Sequence, residues 1–280
     1  MPDSKQLKVC LLDGVHPVGI EVFTLAGFQN IQLFPDSLPE DELKKELADA
    51  HIVGIRSKTQ LTGAVLAEAK ELLCIGRYGI GVNNIDLAAA AEQGIPVFNG
   101  PFSSTRAVAE LVIGAIFGLF RQIPQKSMQM HAGKWPKSAG GCHEVRGKTL
   151  GLVGYGNIAT QISVMAEALG MNVIYSDVRP ILPLGNARQV SFEELLGEAD
   201  VVSLHVPGIP ATKDMINAKT LAKMKPGSYL INFSRGSVVN IPDLKTALQN
   251  GQLMGAALDV FPVEPKSKSD PFESELRDVP

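Results

Sequence analysis

Gly154-Tyr155-Gly156 and Asp177 have types and a spacing that could hold a dinucleotide. The glycine turn follows a short apolar run, Leu150 to Val153, and precedes a stretch in which apolar residues recur at helical spacing through Ile158, Ile162, Met165 and Leu169. A glycine turn between strand and helix lets the backbone close on a pyrophosphate, whose charge meets the unpaired N–H groups and positive end of the helix. Asn157 and Ile158 open that helix, and Ala159 takes the third small position. Asp177 stands 21 residues after Gly156, at the tip of the next apolar run, Val173-Ile174-Tyr175. There a carboxylate can accept hydrogen bonds from both hydroxyls of an adenosine ribose. A bare glycine turn also occurs in sheets that bind nothing, and it is the acid at the second strand that selects the dinucleotide reading. Because Asp177 would repel a 2′-phosphate, NAD is favoured over NADP.

A second set of polar residues falls where apolar runs end: His205-Val206-Pro207, then Phe233-Ser234-Arg235, then Asp259, with Glu264 just beyond. An arginine there presents a planar fork suited to a carboxylate or keto oxygen. Asp259 could bond a nicotinamide amide or a helix terminus, and Glu264 could orient a histidine and raise its pKa. Taken singly, Arg235 reads as a surface ion-pair partner and Glu264 as a solvated acid; beside a dinucleotide site Arg235 gains a role. None of the five histidines, His16, His51, His131, His143 and His205, follows Glu264 to complete such a pair. A third stretch, Gly79-Ile80-Gly81 within YGIGVNNID, exposes backbone N–H groups that suit a carboxylate or phosphate, or else forms a plain tight turn.

These groups must be positioned by alternating elements. Strands are expected over 8–12, 31–34, 51–56, 73–76 and 95–98, with helices between them through 20–25, starting at Pro39, over 62–71 and over 87–92. A helix apolar on nearly every face begins at Ser103, and His131 to Arg146 reads as an extended arm carrying Trp135. From residue 148 strand and helix alternate again, with strands over 173–175, 200–204, 229–231 and 255–260. This alternation implies parallel sheets with helices on both faces, in two domains divided at 102/103.

The formal net charge of −3 over 280 residues gives no reason to expect nucleic acid or an anionic membrane as partner. Cys10, Cys74 and Cys142 are widely spaced, with no metal-ligand pattern, so neither a disulfide framework nor a metal site is expected. The N-terminus lacks an apolar signal core, and the apolar stretch Leu111 to Phe120 is half a membrane span, so a cytoplasmic protein is expected. The apolar helix and the Trp135 arm would suit contact with a second copy of the chain.

GYGNIA with Asp177, SLHVP at 203–207, NFSRGSVVN at 232–240 and ALDVFPVEP at 257–265 resemble the D-isomer-specific 2-hydroxyacid dehydrogenases. IRSKT at 55–59, GIGVNNID and the STRAVAELVIG helix resemble the members of that family that oxidise D-3-phosphoglycerate, and the likeness spans nearly the whole chain. It implies a Rossmann-type NAD domain over 103–280 and a flavodoxin-like substrate domain over 1–102. It implies NAD-dependent oxidation of D-3-phosphoglycerate to 3-phosphooxypyruvate, the first step of phosphorylated serine biosynthesis.

Position by position, the resemblance puts Gly154, Gly156, Asn157 and Ile158 at the pyrophosphate and Asp177 at the ribose. His205, Val206 and Pro207 fall on the adenine side, and Phe233, Ser234, Arg235 and Asp259 on the nicotinamide half. Arg235 would also bind the substrate carboxylate and hydroxyl. Arg56, Ser57 and the backbone of Gly79, Ile80 and Gly81 would hold the anionic end of a small 2-hydroxy acid, with Lys58 and Arg77 as further phosphate contacts. Glu264 would support a proton-accepting histidine. That histidine opens an HxGG-like motif past the DPF stretch, which the sequence does not reach before Pro280. The expectation is therefore a chain without its proton acceptor or the C-terminal return of the substrate domain, binding NAD weakly and turning over little. The alternative is a catalytically silent NAD-binding interaction module of the same family. Asn240, where the family has an acid, and Phe233, where it has a small residue, are lesser departures.

Overall fold

The computed structural model describes residues 3–265, 270–277 and 279, so the expectation about the chain's end at Pro280 lies outside the described residues. The chain forms two compact units, Met1–Ser104 and Thr105–Pro280.

Unit 1 alternates β1 (Lys8–Leu11), α1 (Val18–Leu25), β2 (Asn30–Leu33), α2 (Glu40–Leu47), β3 (Ile52–Ile55), α3 (Gly63–Leu66), β4 (Cys74–Arg77), α4 (Leu87–Glu92) and β5 (Val97–Asn99). The strands form one parallel sheet in the order β2-β1-β3-β4-β5, the flavodoxin-like arrangement. β1 is buried along its whole length, as a central strand covered on both faces must be. Local chemistry fixes the helix starts. Glu40, Asp41 and Glu42 occupy the first turn of α2, Thr62 accepts the Val65 N–H at α3, and Asp86 accepts the Ala89 N–H at α4. The helix expected over 62–71 is a single turn, because the chain past Ala67 leaves it through tight turns.

Unit 2 runs α5 (Thr105–Phe120), α6 (Ile123–His131), β6 (Thr149–Val153), α7 (Asn157–Ala168), β7 (Asn172–Ser176), β8 (Arg188–Gln189), α8 (Phe192–Glu198), β9 (Val201–Leu204), α9 (Ala218–Leu221), β10 (Ser228–Asn232), α10 (Ile241–Gln249) and β11 (Leu253–Leu258). Its six strands are all parallel in the order β8-β7-β6-β9-β10-β11, the doubly wound order with its switch point between β6 and β9.

Three features of unit 2 differ from the sequence expectation. The apolar helix α5 buries one face, through Ala109, Val112, Ile116 and Phe120, while Leu111 stays half exposed. Residues 123–130, unassigned from the sequence, and His131, expected to open the arm, form α6 after Gln122 breaks the chain in a left-handed conformation. After the proline-containing stretch that follows Asp177, Arg188–Gln189 form the two-residue edge strand β8, for which no strand was expected. Among the described residues no single helix is long and apolar enough to cross a membrane.

Candidate active site

At the switch point the turn after β6 meets the loop after β9. Gly154 has φ +86°, and a Cβ there would stand 2.6 Å from the His205 carbonyl oxygen, so only glycine fits. Its N–H donates to the Ser176 carbonyl (2.8 Å), and the His205 N–H donates to the Val153 carbonyl (2.7 Å), which locks the turn between the tips of β7 and β9. Gly156 is different: its φ is −86°, and a Cβ there would meet no protein atom within 4 Å. The fold does not require glycine at that point, whereas a ligand closing on the backbone would.

No side chain caps α7, and no hydrogen bond among the described residues uses the N–H of Asn157 or Ile158. The first turn of α7 is thus free to meet an anion. Ala159 is fully buried where the helix packs on the sheet. Asp177 accepts the Tyr155 N–H (2.9 Å) and the Arg179 N–H (3.0 Å), one on each carboxylate oxygen. Its carboxylate is therefore oriented toward the glycine turn, with further lone pairs available to a ribose. Tyr155 and Tyr175 stack beneath the turn with centroids 3.8 Å apart. This combination fits a dinucleotide.

His205, in the loop with Val206 and Pro207, has its Nε2 2.9 Å from the buried Ser203 Oγ. Desolvation of the ring pushes its imidazole down to a pKa of about 4, so the ring is neutral near neutral pH.

The Arg235 turn is built by a residue that sequence reasoning passed over. Asn232, fully buried at the end of β10, accepts the Ser234 N–H (3.1 Å) and the Ser234 hydroxyl (2.9 Å) through Oδ1, and donates through Nδ2 to the Arg235 carbonyl (2.9 Å). Its own carbonyl accepts the Asp259 N–H (3.1 Å). One asparagine thus ties together three of the expected site positions. Arg235 Nη1 donates to the Ser234 carbonyl (2.7 Å), and Phe233 packs on the main core of the unit. A Cβ on Gly236 would overlap the Phe261 carbonyl, so glycine is what allows the 259–264 loop to lie against the arginine turn. In that loop Asp259 is exposed, and Glu264, also exposed, accepts the Phe261 N–H (3.1 Å). Asn240 caps α10 by accepting the Asp243 N–H (3.1 Å), a role an aspartate would fill equally well.

In unit 1, Arg56, Ser57 and Lys58 are exposed immediately after β3, next to the loop after β4. The Gly79 carbonyl accepts the Gly100 N–H (3.0 Å) and the Ile80 carbonyl accepts the Asn99 amide (2.7 Å). No hydrogen bond among the described residues uses the N–H of Ile80 or Gly81. Lys58 pairs with Asp36 at 3.3 Å, and Arg77 donates to the Tyr78 carbonyl (3.2 Å).

Two more residues had no sequence signal strong enough to single them out. Buried Asp13 receives the N–H groups of Arg56, Lys58 and Thr59, and buried Asn84 donates to the carbonyls of Arg56 (2.9 Å) and Thr59 (2.7 Å). The available hint was an acid followed by glycine at the end of the first strand.

Both sheets carry their polar residues at the carboxyl ends of parallel strands, and unit 2 has the dinucleotide order with a free helix start. That is the architecture of a dinucleotide-binding α/β protein. The family model described as "D-isomer specific 2-hydroxyacid dehydrogenase, NAD binding domain" matches residues 113–279. D-3-phosphoglycerate dehydrogenase of Haemophilus influenzae is 50% identical over 277 residues, which cover 99% of this chain and 68% of that protein. The crystal structure of the TT0316 protein from Thermus thermophilus superposes with a TM-score of 0.86 at 33% identity, covering 94% of this chain and 85% of that one. D-lactate dehydrogenase from Aquifex aeolicus, complexed with NAD and lactic acid, gives a TM-score of 0.80 at 29% identity, covering 91% of this chain and 77% of that one. The chain belongs to the D-isomer-specific 2-hydroxyacid dehydrogenases, a family of NAD-dependent oxidoreductases, and unit 2 is its NAD-binding domain.

Proposed function

We propose that this chain serves the NAD-dependent oxidation of D-3-phosphoglycerate to 3-phosphooxypyruvate. The observation that carries this reading is that one chain holds both a cofactor turn, in unit 2, and a cationic loop, in unit 1, whose Arg56 and Ser57 are exposed while Asp13 and Asn84 bind the peptides of Arg56 and Thr59. The 50% identity to a phosphoglycerate dehydrogenase supports the choice of substrate.

In this reading Gly156, Asn157 and Ile158 receive the pyrophosphate, and the α7 N-terminus stabilises its charge. Asp177 takes the ribose hydroxyls, while His205, Val206 and Pro207 border the adenine. Phe233, Ser234 and Asp259 line the nicotinamide half. Arg235 binds the substrate carboxylate and hydroxyl oxygen with its planar fork, which fixes C2 for transfer. Arg56 and Ser57, with the free N–H groups of Ile80 and Gly81, hold the phosphate end. Bound NAD supplies the hydride acceptor. Glu264 holds the loop that carries Asp259 and is placed to orient the group that accepts the hydroxyl proton. The half-exposed apolar face of α5 and the exposed Trp135 support self-association as a further part of the proposal.

Titration of the NAD-loaded chain with D-3-phosphoglycerate and with D-glycerate tests the substrate assignment, because binding does not depend on proton transfer. The phosphorylated acid is expected to bind at least about tenfold tighter, and Arg56→Gln to remove that preference. Equal affinity for the two acids would reassign the chain to a non-phosphorylated 2-hydroxy acid.

A further inference from the structure

The cationic loop of unit 1 is held from beneath by an acid, which is not the residue type expected next to an anion site. Asp13 is buried at the end of β1 with φ +64°, a conformation that aspartate and asparagine tolerate better than most side chains. Its backbone is pinned, since its N–H donates to the Asp36 carbonyl (3.4 Å) and that of Gly14 to the Phe34 carbonyl (3.2 Å). Among the described residues, all the side-chain hydrogen bonds of Asp13 run to one segment. Oδ2 accepts the N–H groups of Arg56 (2.9 Å), Lys58 (3.2 Å) and Thr59 (3.1 Å), and Oδ1 accepts the Thr59 hydroxyl (2.6 Å). Asn84 takes the opposite side of the same peptides through the Arg56 and Thr59 carbonyls.

The consequence is directional. With their N–H groups turned inward to one carboxylate, Arg56 and Lys58 leave their side chains exposed, as does Ser57 between them, while Thr59 is buried. Lys58 is engaged by Asp36, and no carboxylate among the described residues pairs with the Arg56 guanidinium. Peptides held in this way reduce the ordering cost when an anion arrives.

We propose that Asp13 is the positioning residue of this anion loop, acting through the backbone of Arg56, Lys58 and Thr59 to aim Arg56 at the anionic end of the substrate. This rests on the assignment of Arg56 to the substrate, and the test separates the two. Asp13→Asn keeps the size and the backbone preference but replaces one acceptor oxygen with a donor facing N–H groups.

In the NAD-loaded chain, calorimetric titration with D-3-phosphoglycerate is expected to show affinity lowered by on the order of tenfold or more in D13N, with NAD affinity unchanged. Amide hydrogen exchange at Arg56, Lys58 and Thr59 should accelerate. In an Arg56→Gln background, Asp13→Asn should add less than about threefold, because both act through one guanidinium. Should D13N fail to fold, Thr59→Val, which removes the hydroxyl bond to Asp13 and spares the carboxylate, is expected to lower affinity in the same selective way. Wild-type affinity in D13N, or in T59V where D13N does not fold, overturns the proposal if R56Q weakens binding. Additive effects in the double variant overturn it as well. If R56Q itself binds normally, it is the assignment of Arg56 to the substrate that fails.

Discussion

The His205 carbonyl oxygen lies 2.6 Å from the point where a Cβ on Gly154 would stand, while the same point on Gly156, two residues on, is empty to 4 Å. The two glycines of one motif therefore serve different masters, the first the fold and the second the ligand. Gly154→Ala is expected to destabilise unit 2 by about 2 kcal/mol or more, through the left-handed φ and the backbone overlap together. Gly156→Ala places alanine at φ −86°, which it adopts freely, so stability should hold or rise by about 0.5 kcal/mol. NAD affinity should nevertheless fall by on the order of tenfold, because the methyl occupies the space into which a pyrophosphate must close. Chemical denaturation and NAD titration of both variants check this, and a Gly156→Ala chain that binds NAD normally would contradict it.

Asn232 offers a second separation. Asn232→Ala leaves the Ser234 N–H and the Arg235 carbonyl without their buried partner, at an expected cost of about 2 kcal/mol. Asn232→Asp can still accept from Ser234 but sets an oxygen against the Arg235 carbonyl. It should therefore weaken binding of the 2-hydroxy acid while leaving the Gly154 turn intact. Ser234→Ala removes one of the two bonds to Oδ1 and is expected to be the mildest of the three. Urea titrations rank stability, and binding of D-3-phosphoglycerate ranks the site; an unchanged acid affinity in N232D would show that the turn holds without its donor.

The NAD-binding domain, and α4 in unit 1, were legible in the sequence because their signals are local. The change from strand to helix period at Gly154 and the acid at the end of the next strand lie within one short stretch, and α4 at Leu87–Glu92 was readable from its run of alanines and its Asp86 cap. What could not be read depends on distant partners. Asp13 meets Arg56 across 43 residues and Thr59 across 46, and nothing at either position marks the other. Asn232 looked like the first letter of a motif, whereas its value lies in being buried with donor and acceptor both matched. α6 escaped notice because Pro124 and a polar run follow a left-handed Gln122, which together resemble loop composition although proline is well placed in a first helical turn. β8 exists only because β7 offers an open edge to pair with.

Burial of His205 is expected to make unit 2 less stable in mild acid. Its folded pKa is about 4 against an ordinary 6.5, so between these values the unfolded chain holds more protons than the folded one. Stability from this group is fully present above about pH 6.5 and falls as pH drops toward 4, by about 3 kcal/mol across the window. Asp200, whose carboxyl is held low despite the burial that opposes it, by Lys225 and the Thr149 N–H, loses its contribution only below its ordinary 3.8. The two groups therefore titrate in separate ranges. His205→Gln, which keeps a polar group near Ser203 without a titrating ring, should flatten the pH dependence of the urea midpoint between about 6.5 and 4 and leave the steeper loss at lower pH in place. A slope in that window as steep as that of the unaltered chain would assign the acid sensitivity to another group.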